Sequence, residues 1–412
     1  MNLLGINISH HGSSCLLQNG KITYFLEEER VSRIKNHSIS YSDLKFYGID
    51  VLKKHTTKID YLIFSSYGRD GICYVSESTL NEWISIVQTR GHKYFSKLFL
   101  NGEIRIENDN YEHDILIIHS ILKQMDENNI TVGNVIFEHN KHHFYHAASA
   151  FYSSGFEESC SLVLDGGGTF SLENYIEFEK LNFKIPFREK ESIYKCSEDS
   201  IESLYTHYSH NFTRSLEYDF LAKDNVGEWE KIYSHNMSCG DLFNFVSCNL
   251  LGFKSGDDSG KTMGLSSYYQ KSFPTDLQSD WFYELHGEMV SDPKLVKTLS
   301  SLTHYNFKVS DTNIEHASMI SKKLQNETKK HTLYLINKSL SITGSKNIVL
   351  SGGYFLNCVN NYEYKKLLPS YVNMYIDPIP HDAGTALGAV QYAWHKITGN
   401  KPEPLKNLFI GP

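Results

Sequence analysis

Residues 3–26, LLGINISHHGSSCLLQNGKITYFL, contain three apolar runs separated by short polar or glycine-containing turns. The runs at 3–9, 15–18 and 21–26 predict three short β-strands. Between the last two runs, Asn19-Gly20 is a strong hairpin signal, because a type I′ turn needs a positive φ at both of its central residues. The stretch therefore predicts a strand, a turn and a β-hairpin in close succession.

A second stretch, SLVLDGGGT at residues 161–169, has a similar organisation. A buried strand runs into a glycine-rich turn, and another strand pattern follows near residues 175–178. The strand–turn–strand pattern thus occurs twice, about 155 residues apart, which is a domain-sized spacing. We predict an α/β protein with two related α/β halves that face a cleft.

The rest of the chain is organised around these two stretches. We expect one half over about residues 1–155 and the other over about 156–400, with 401–412 as the start of a linker. Residues 180–235 are polar and aromatic without a clear period, which indicates an insertion or lid. The charged run 27–35 predicts a solvated helix or loop. Other strands are expected at 59–65, 135–138, 348–350 and 372–376, and helices within 80–125 and at 142–152, 238–252, 311–342 and 383–396.

Composition narrows the class of protein. The 412 residues include 40 basic and 48 acidic side chains, and the formal net charge is −8. These values favour a globular protein of one large or two mid-sized domains, and they argue against a general nucleic-acid binder, which needs a positive surface. No stretch resembles a membrane-spanning helix or a secretory signal. The seven cysteines form no CxxC pair, so we expect free thiols and a cytoplasmic location.

Histidine is abundant, with 20 residues, and the sequence HHFYH at 142–146 gives part of this excess a chemical meaning. On a helix, His142 and His146 lie on one face, about 6 Å apart at Cβ, where both can bind one metal ion. The alternative is a polar helix that happens to be rich in histidine. Asp165 follows a buried strand, where α/β sheets place ligand sites, although an Asp before glycines is also a common turn former.

Asp382 precedes the closing helix, so it is either a further ligand or simply the N-cap of that helix. Two histidines and two aspartates on one ion would form a mixed nitrogen and oxygen site. Such a site suits iron, manganese or zinc better than a metal that selects thiolates.

Three glycine-rich segments indicate a nucleotide site. They are DGGGT at 165–169, SGGYFLN at 351–357 and SGDDSGK at 255–261. Backbone N–H groups in such turns can bind phosphate, and glycine lets the ligand approach closely. None of the three has the spacing of a P-loop or of a dinucleotide-binding fingerprint. Their joint presence, with the internal repeat, favours a nucleotide cleft.

Taken together, six segments of the sequence resemble the O-carbamoyltransferase family, which includes the tobramycin, cephem, novobiocin and nodulation-factor enzymes. The matching blocks run in the family's order over almost the whole chain. They are HHGSSCLL at 10–17, EERVSRIK at 28–35, HHFYHAASAF at 142–151, KTMGLSSY at 261–268, GGYFLN at 352–357 and DAGTALGA at 382–389.

The resemblance implies an actin-like ATPase fold and a set of site residues. It implies a metal, with iron the first choice, held by His142, His146, Asp165 and Asp382. It places His10 and Lys35 at the acyl-transfer centre, and makes His11, Arg33 and Lys261 candidate substrate contacts. It assigns nucleotide binding to the two glycine turns, at Gly166, Gly167, Gly168, Thr169, Gly352, Gly353 and Asn357.

The implied reaction has two steps. Carbamoyl phosphate and ATP first give carbamoyladenylate and pyrophosphate, and an acceptor hydroxyl then attacks the carbamoyl carbon and releases AMP. His10 is the expected general base, because the pKa of an imidazole lies near working pH. The acceptor is a small molecule, a sugar or a nucleoside. His11 stands where the family has an aspartate, so His11 competes with His10 for the role of base.

Full members of the family continue into a C-terminal YrdC-like domain that makes the adenylate, and residues 405–412 stand where that domain is expected to begin. We therefore expect the present chain, given only carbamoyl phosphate and ATP, to be almost inactive without a YrdC-like domain or protein.

Three alternative functions remain open. A threonylcarbamoyl transferase acting on tRNA would share the fold and the metal pair, but it fits a net charge of −8 poorly. An actin-like sugar kinase would bind Mg²⁺ through carboxylates and phosphates, with no need for His142 and His146. A catalytically inactive nucleotide-binding regulator is the third.

Overall fold

The computed structural model describes residues 1–39, 45–65, 111–137, 141–177, 184–209, 221–254, 258–310 and 312–407. The strands are β1 (Asn2–Asn7), β2 (Ser13–Gln18), β3 (Lys21–Glu27), β4 (Lys58–Ser65), β5 (Thr131–Phe137), β6 (Ser159–Leu164), β7 (Phe170–Glu177), β8 (Lys184–Cys196), β9 (Ile201–Ser209), β10 (Leu221–Val226), β11 (Trp229–Ser234), β12 (Phe282–Leu285), β13 (Glu288–Ser291), β14 (Asn347–Ser351) and β15 (Asn373–Ile376). The α-helices are α1 (Glu29–Ser32), α2 (Ile49–His55), α3 (Tyr111–Glu127), α4 (His142–Ser154), α5 (Cys239–Phe245), α6 (Ser259–Leu265), α7 (Leu295–Ser301), α8 (Ile314–Thr343), α9 (Cys358–Leu367) and α10 (Gly384–Thr398).

The chain forms two compact units. The first comprises residues 1–155 and 381–412, and the second comprises residues 156–380. Helix α10 therefore belongs to the first unit, whereas the sequence analysis extended the second half to about residue 400. Close packing explains the difference, because a Cβ on Gly5 of β1 would overlap the carbonyl oxygen of Ala386 in α10. None of the helices in the described ranges is both long enough and apolar enough to span a membrane.

The first unit is built on a five-stranded sheet in the order β3-β2-β1-β4-β5. Strands β1, β4 and β5 are parallel, and β2 and β3 form the predicted antiparallel hairpin beside β1. Asn19 and Gly20 have φ values of 51° and 86°, as a type I′ turn requires. Apolar side chains of the sheet and of α3, such as Leu4, Leu62 and Ile121, are fully buried together.

The second unit repeats this order on a larger sheet. Its central strands run β9-β8-β6-β14-β15, with β10 and β11 beyond β9, and β7 pairs with β8. Strands β6, β14 and β15 are parallel, whereas β8 is antiparallel to both β6 and β9. The directions and the order match those of the first sheet strand by strand, so the prediction of two related α/β halves is confirmed.

Residues 180–235 contain regular structure, and their assignment as an insertion or lid stays a prediction. The part that the structure describes forms β8, β9, β10 and β11, which extend the second sheet. Strand β8 has no apolar pattern in its middle, which is the charged sequence Arg188-Glu189-Lys190-Glu191. All four of these side chains are nevertheless buried. Most of the region 80–125, where helices are predicted, lies outside the described residues. The described part of it, from residue 111, belongs to α3.

Glu191 shows how such a charge is accommodated in the core of the second unit. Its Oε1 accepts a hydrogen bond from Nε2 of His331 at 2.5 Å, and its Oε2 accepts one from Nδ1 of His207 at 3.2 Å. Burial alone would raise the pKa of Glu191, but His331 and His207 outweigh burial and hold that pKa well below the usual value for a glutamate. The folded state therefore binds this proton less readily than the unfolded chain.

We expect Glu191→Gln to lower the free energy of unfolding at pH 7 by about 3–5 kcal/mol, because it breaks a buried charged network. The unfolded carboxyl titrates near pH 4.3, above its folded-state pKa, so stability from Glu191 is complete above about pH 5 and is lost as the pH falls. Urea unfolding between about pH 7 and pH 3 should therefore show a shallower loss of stability in the variant. Glu284→Gln, at an exposed position, is the control, and equal slopes for Glu191→Gln and the unmodified protein would contradict this account.

Candidate active site

Helix α4 places two histidines side by side in the first unit. His142 and His146 are one turn apart, both are buried, and their ring centroids lie 4.8 Å from each other. The run Ala147, Ala148 and Ala150 favours the helix, which ends at Gly155 with a φ of 75°. The predicted i, i+4 pair is therefore present on one helix face.

Asp382 lies beside this pair. Its Oδ1 is 3.7 Å from Nε2 of His142 and 3.7 Å from Nε2 of His146. The N-cap residue of α10 is Ala383, and no side chain makes a capping hydrogen bond there. The Asp382 carboxylate thus lies beside the two histidines, as a ligand would, and its assignment as a metal ligand stays a prediction.

Small residues bring the two helices together. A Cβ on Gly388 of α10 would overlap the carbonyl oxygen of Tyr145 in α4, so the helices can pack this closely only with glycine there. The first turn of α10 is also tied to the sheet: Oγ of Ser13 donates to the carbonyl of Ala383 at 2.8 Å. The contact with Tyr145 fixes where Asp382 meets α4.

The donor atoms fit one transition-metal ion. In the first unit, ligand atoms of His142, His146 and Asp382 lie within 4.8 Å of one another. Ligand bonds of about 2.0–2.2 Å put two ligands of one ion roughly 3–4 Å apart, which agrees with the 3.7 Å separations. Two neutral imidazoles and a carboxylate suit iron, manganese or zinc.

Three further histidine rings lie near this group in the first unit. The ring of His11 is 4.0 Å from that of His10 and 4.6 Å from that of His381. His10 is exposed, and its turn is held by the buried Asn7, whose amide donates to the carbonyls of His10 and His11 at 3.1 and 3.0 Å. The predicted base is therefore accessible to a substrate and has neighbouring imidazoles.

His381 is a residue that the sequence analysis missed. Burial, and then the proximity of His11, lower the pKa of His381 to about 3, so this ring is neutral at physiological pH. Its Nδ1 accepts a hydrogen bond from the backbone N–H of Ala383 at 3.2 Å. In the sequence, only its position directly before Asp382 indicates that His381 lies near the site. A single histidine beside a candidate ligand is weak evidence for a functional residue.

Arg33 and Lys35 lie on the exposed segment after α1. Arg33 ends that helix with a φ of 62°, a left-handed conformation. Residues 27–35 were predicted to be solvated, but Glu28 is fully buried. Its carboxylate accepts hydrogen bonds from the backbone N–H groups of Tyr47 and Gly48. The assignments of Lys35 to transfer and of Arg33 to substrate binding stay predictions.

In the second unit, Asp165 joins the two predicted glycine turns. It follows β6, and its Oδ1 accepts a hydrogen bond from the backbone N–H of Gly353 at 3.1 Å. Gly352 has a φ of 98°, and a Cβ there would overlap the carbonyl oxygen of Leu164. The turns after two neighbouring parallel strands thus meet at the carboxyl edge of the sheet, where ligands of α/β proteins bind.

Several groups predicted to bind nucleotide already have partners inside the protein. The N–H groups of Gly168 and Thr169 donate to the backbone carbonyl and the carboxylate of Glu189, at 2.8 and 2.9 Å. The side chain of Asn357 caps α9 and exchanges two hydrogen bonds with Gln325. These groups shape the turns, and their direct contact with a nucleotide stays a prediction.

Lys261 lies on α6 with an exposed ammonium that is 2.7 Å from Asp258. Residues 255–257 of its glycine-rich segment lie outside the described residues. The proposed substrate contact at Lys261 stays a prediction.

Comparison with solved structures shows the fold. The crystal structure of full-length HypF in its phosphate- and nucleotide-bound form superposes with a TM-score of 0.51 at 16% identity, and covers 98% of this chain and 56% of that protein. HypF of T. kodakarensis gives a TM-score of 0.51 at 11% identity, with 97% and 48% covered. With the repeated strand order, this likeness confirms the predicted actin-like fold class.

Comparison with sequences shows the family. A nodulation protein, NolNO of Sinorhizobium fredii, is 25% identical over 98% of this chain and 49% of its own length. An uncharacterized protein of Synechocystis sp. is 25% identical over 100% of this chain and 60% of its own length. The chain thus spans about half the length of these curated relatives. The profile described as "Carbamoyltransferase N-terminus" matches residues 2–391, and the chain therefore belongs to that family.

Proposed function

We propose that this chain transfers a carbamoyl group from carbamoyladenylate to a hydroxyl of a small-molecule, sugar or nucleoside acceptor. The observation that carries the proposal is the cluster of two buried histidines, His142 and His146, and the partly buried Asp382, where α4 meets the start of α10 in a chain of the carbamoyltransferase family. Two buried imidazoles beside a partly buried carboxylate lose hydration on folding, which has a cost in free energy. Ligation of an ion compensates that cost.

The transfer step breaks one bond and forms one. The acceptor oxygen bonds to the carbamoyl carbon, the bond from that carbon to the phosphate oxygen breaks, and AMP leaves. The hydroxyl proton passes to the imidazole of His10, which is exposed and supported by His11 and His381. The ammonium of Lys35 stabilises negative charge that develops on the carbamoyl oxygen.

The metal ion, when bound, would supply Lewis-acid polarisation and neutralise charge on the phosphate. In the first unit His142, His146 and Asp382 would hold it, and Asp165 is proposed as its fourth ligand. Asp165 also ties the proposed nucleotide turns to each other through Gly353. Adenylate formation is assigned to a YrdC-like domain or protein supplied separately.

The test is a transfer assay with the full chain. It is mixed with a YrdC-like adenylate-forming domain, ATP, carbamoyl phosphate and a panel of hydroxylated acceptors, and products are detected by the mass of one added carbamoyl group. We expect His10→Gln to lower kcat by about 10²–10⁴-fold, the usual contribution of a general base. His11→Gln is the comparison, and a larger loss there would move the base to His11. Absence of product with every acceptor would contradict the proposed function.

A further inference from the structure

We infer that Lys190, together with Arg188 and Glu189, is a positioning group that holds the glycine turn 166–168 and thereby the Asp165 carboxylate. The inference rests on the proposed function, because the turn is proposed to form part of a nucleotide site. All three side chains belong to β8, a strand that was not predicted from the sequence because residues 188–191 are charged.

Cations hold all three carbonyl groups of this turn. Nζ of Lys190 donates to the carbonyl of Gly166 at 2.8 Å. Nη2 and Nε of Arg188 donate to the carbonyls of Gly167 and Gly168 at 3.0 and 3.2 Å. Hydrogen bonds from a charged donor are about twice as strong as those between neutral groups. Lys190 and Arg188 therefore hold the turn through its carbonyl groups.

The opposite side of the same turn is held by Glu189. Its backbone carbonyl accepts from the N–H of Gly168, and its carboxylate accepts from the N–H of Thr169. Strand β8 thus binds the turn through two cations, which hold its carbonyl groups, and through Glu189, which holds N–H groups.

Lys190 lies at a β-bulge, where the pairing of β8 with β9 shifts. Along β8, Glu189 pairs with Tyr208 of β9 and Glu191 pairs with His207, so the register shifts by one residue at Lys190. Such bulges occur beside active sites, where they redirect a side chain.

Lys190 also connects the turn to a helix. Its Nζ is 2.8 Å from Oδ2 of Asp241, and Asp241 forms a capping box with Ser238 at the start of α5. The lysine side chain is fully buried. A buried ion pair is seldom the most stable choice, because apolar side chains of similar volume often stabilise as much. Its presence here is explained by where it holds Gly166.

The turn matters because Asp165 depends on it. The two carboxylate oxygens of Asp165 accept from the N–H of Gly167 at 3.3 Å and from the N–H of Gly353 at 3.1 Å. If the turn loses its cation, the N–H of Gly167 can move away from Asp165, and the carboxylate loses one of the two bonds that position it between the glycine turns.

The experiment compares Lys190→Met with Lys323→Met in the full chain. Lys323 is a matched control, since it is a buried lysine of the same unit, 2.6 Å from Glu327 and remote in sequence from the turn. Hydrogen exchange by mass spectrometry follows the peptide over residues 160–170, and calorimetry measures AMP binding. We expect exchange at 165–169 to rise at least about tenfold in Lys190→Met alone. We expect AMP affinity to fall by a similar factor, and Lys190→Arg to restore part of both.

The outcomes separate this inference from the proposed function. Faster exchange at 165–169 in a protein that never binds AMP would support the positioning role and contradict the nucleotide site. Equal exchange at 165–169 in the two methionine variants would overturn the inference, whatever the AMP result. If Lys190→Met does not fold, Arg188→Met, which removes the donors to Gly167 and Gly168, must still increase exchange at the turn, and unchanged exchange there would overturn the inference.

Discussion

A His142→Ala/His146→Ala double variant is expected to lose its bound transition metal and at least about a thousandfold of its transfer activity. The change removes both nitrogen donors and leaves Asp382 as the one remaining ligand of this group in the first unit. A Lewis-acid ion contributes several kcal/mol to the stabilisation of charge in a transition state, which sets the size of the expected loss. Metal content is measured by plasma mass spectrometry on protein purified without oxygen or chelator.

His143→Ala is the matched control for this double variant. His143 is buried in the same helix and lies between the two proposed ligands in sequence, but its ring is 6.5 Å from that of His146. It is expected to keep stoichiometric metal. A double variant that also keeps its metal would show that the ion binds elsewhere. A protein that never holds a transition metal and binds Mg²⁺ instead would favour a sugar kinase, in which Mg²⁺ is held by carboxylates and phosphates.

The donors of the site could be predicted because their signals are local. A spacing of four residues on a helix fixes the relation of His142 to His146 without any tertiary information. The place of Asp382 needed long-range packing, since its distance to the histidines depends on how α10 lies against α4. The sequence therefore left Asp382 open between a ligand and a cap, and its 3.7 Å distances to the two histidines come from packing that the sequence does not show.

The second sheet was harder to predict than the first. In the first sheet, apolar runs such as residues 3–9 mark the strands directly. In β8 the buried positions are filled by Arg188, Glu189 and Lys190, whose charges are satisfied by a turn about 20 residues earlier and by α5. Hydropathy cannot reveal a strand of this kind, because its burial depends on partners that only the fold provides.

The glycine turns show a different limit of the sequence. Residue types in DGGGT and GGYFLN are those of phosphate-binding loops, so the sequence predicts a nucleotide site there. It does not show that the N–H of Thr169 donates to Glu189 or that the side chain of Asn357 pairs with Gln325. Composition of a loop thus predicts its conformational freedom better than it predicts which of its donors face a ligand.

A Gly388→Val variant is expected to lose both metal binding and stability, although residue 388 has no ligand atom. A Cβ there would meet the carbonyl oxygen of Tyr145, so α10 must move away from α4 and carry Asp382 away from the histidines. Overpacking of this kind costs about 1–3 kcal/mol of unfolding free energy. Urea unfolding and metal titration measure the two effects.

The control for this variant is Gly264→Ala in α6. A Cβ on Gly264 meets no described atom within 4 Å, and alanine favours a helix over glycine, so stability should be kept or slightly increased. The prediction also separates packing from coordination, because Gly388→Val leaves every proposed ligand in the sequence. Retention of full metal affinity in Gly388→Val, with only the stability reduced, would mean that the approach of α10 to α4 does not set the position of Asp382. The ligand geometry would then have to be fixed by the turn before α10, where Nδ1 of His381 accepts from Ala383.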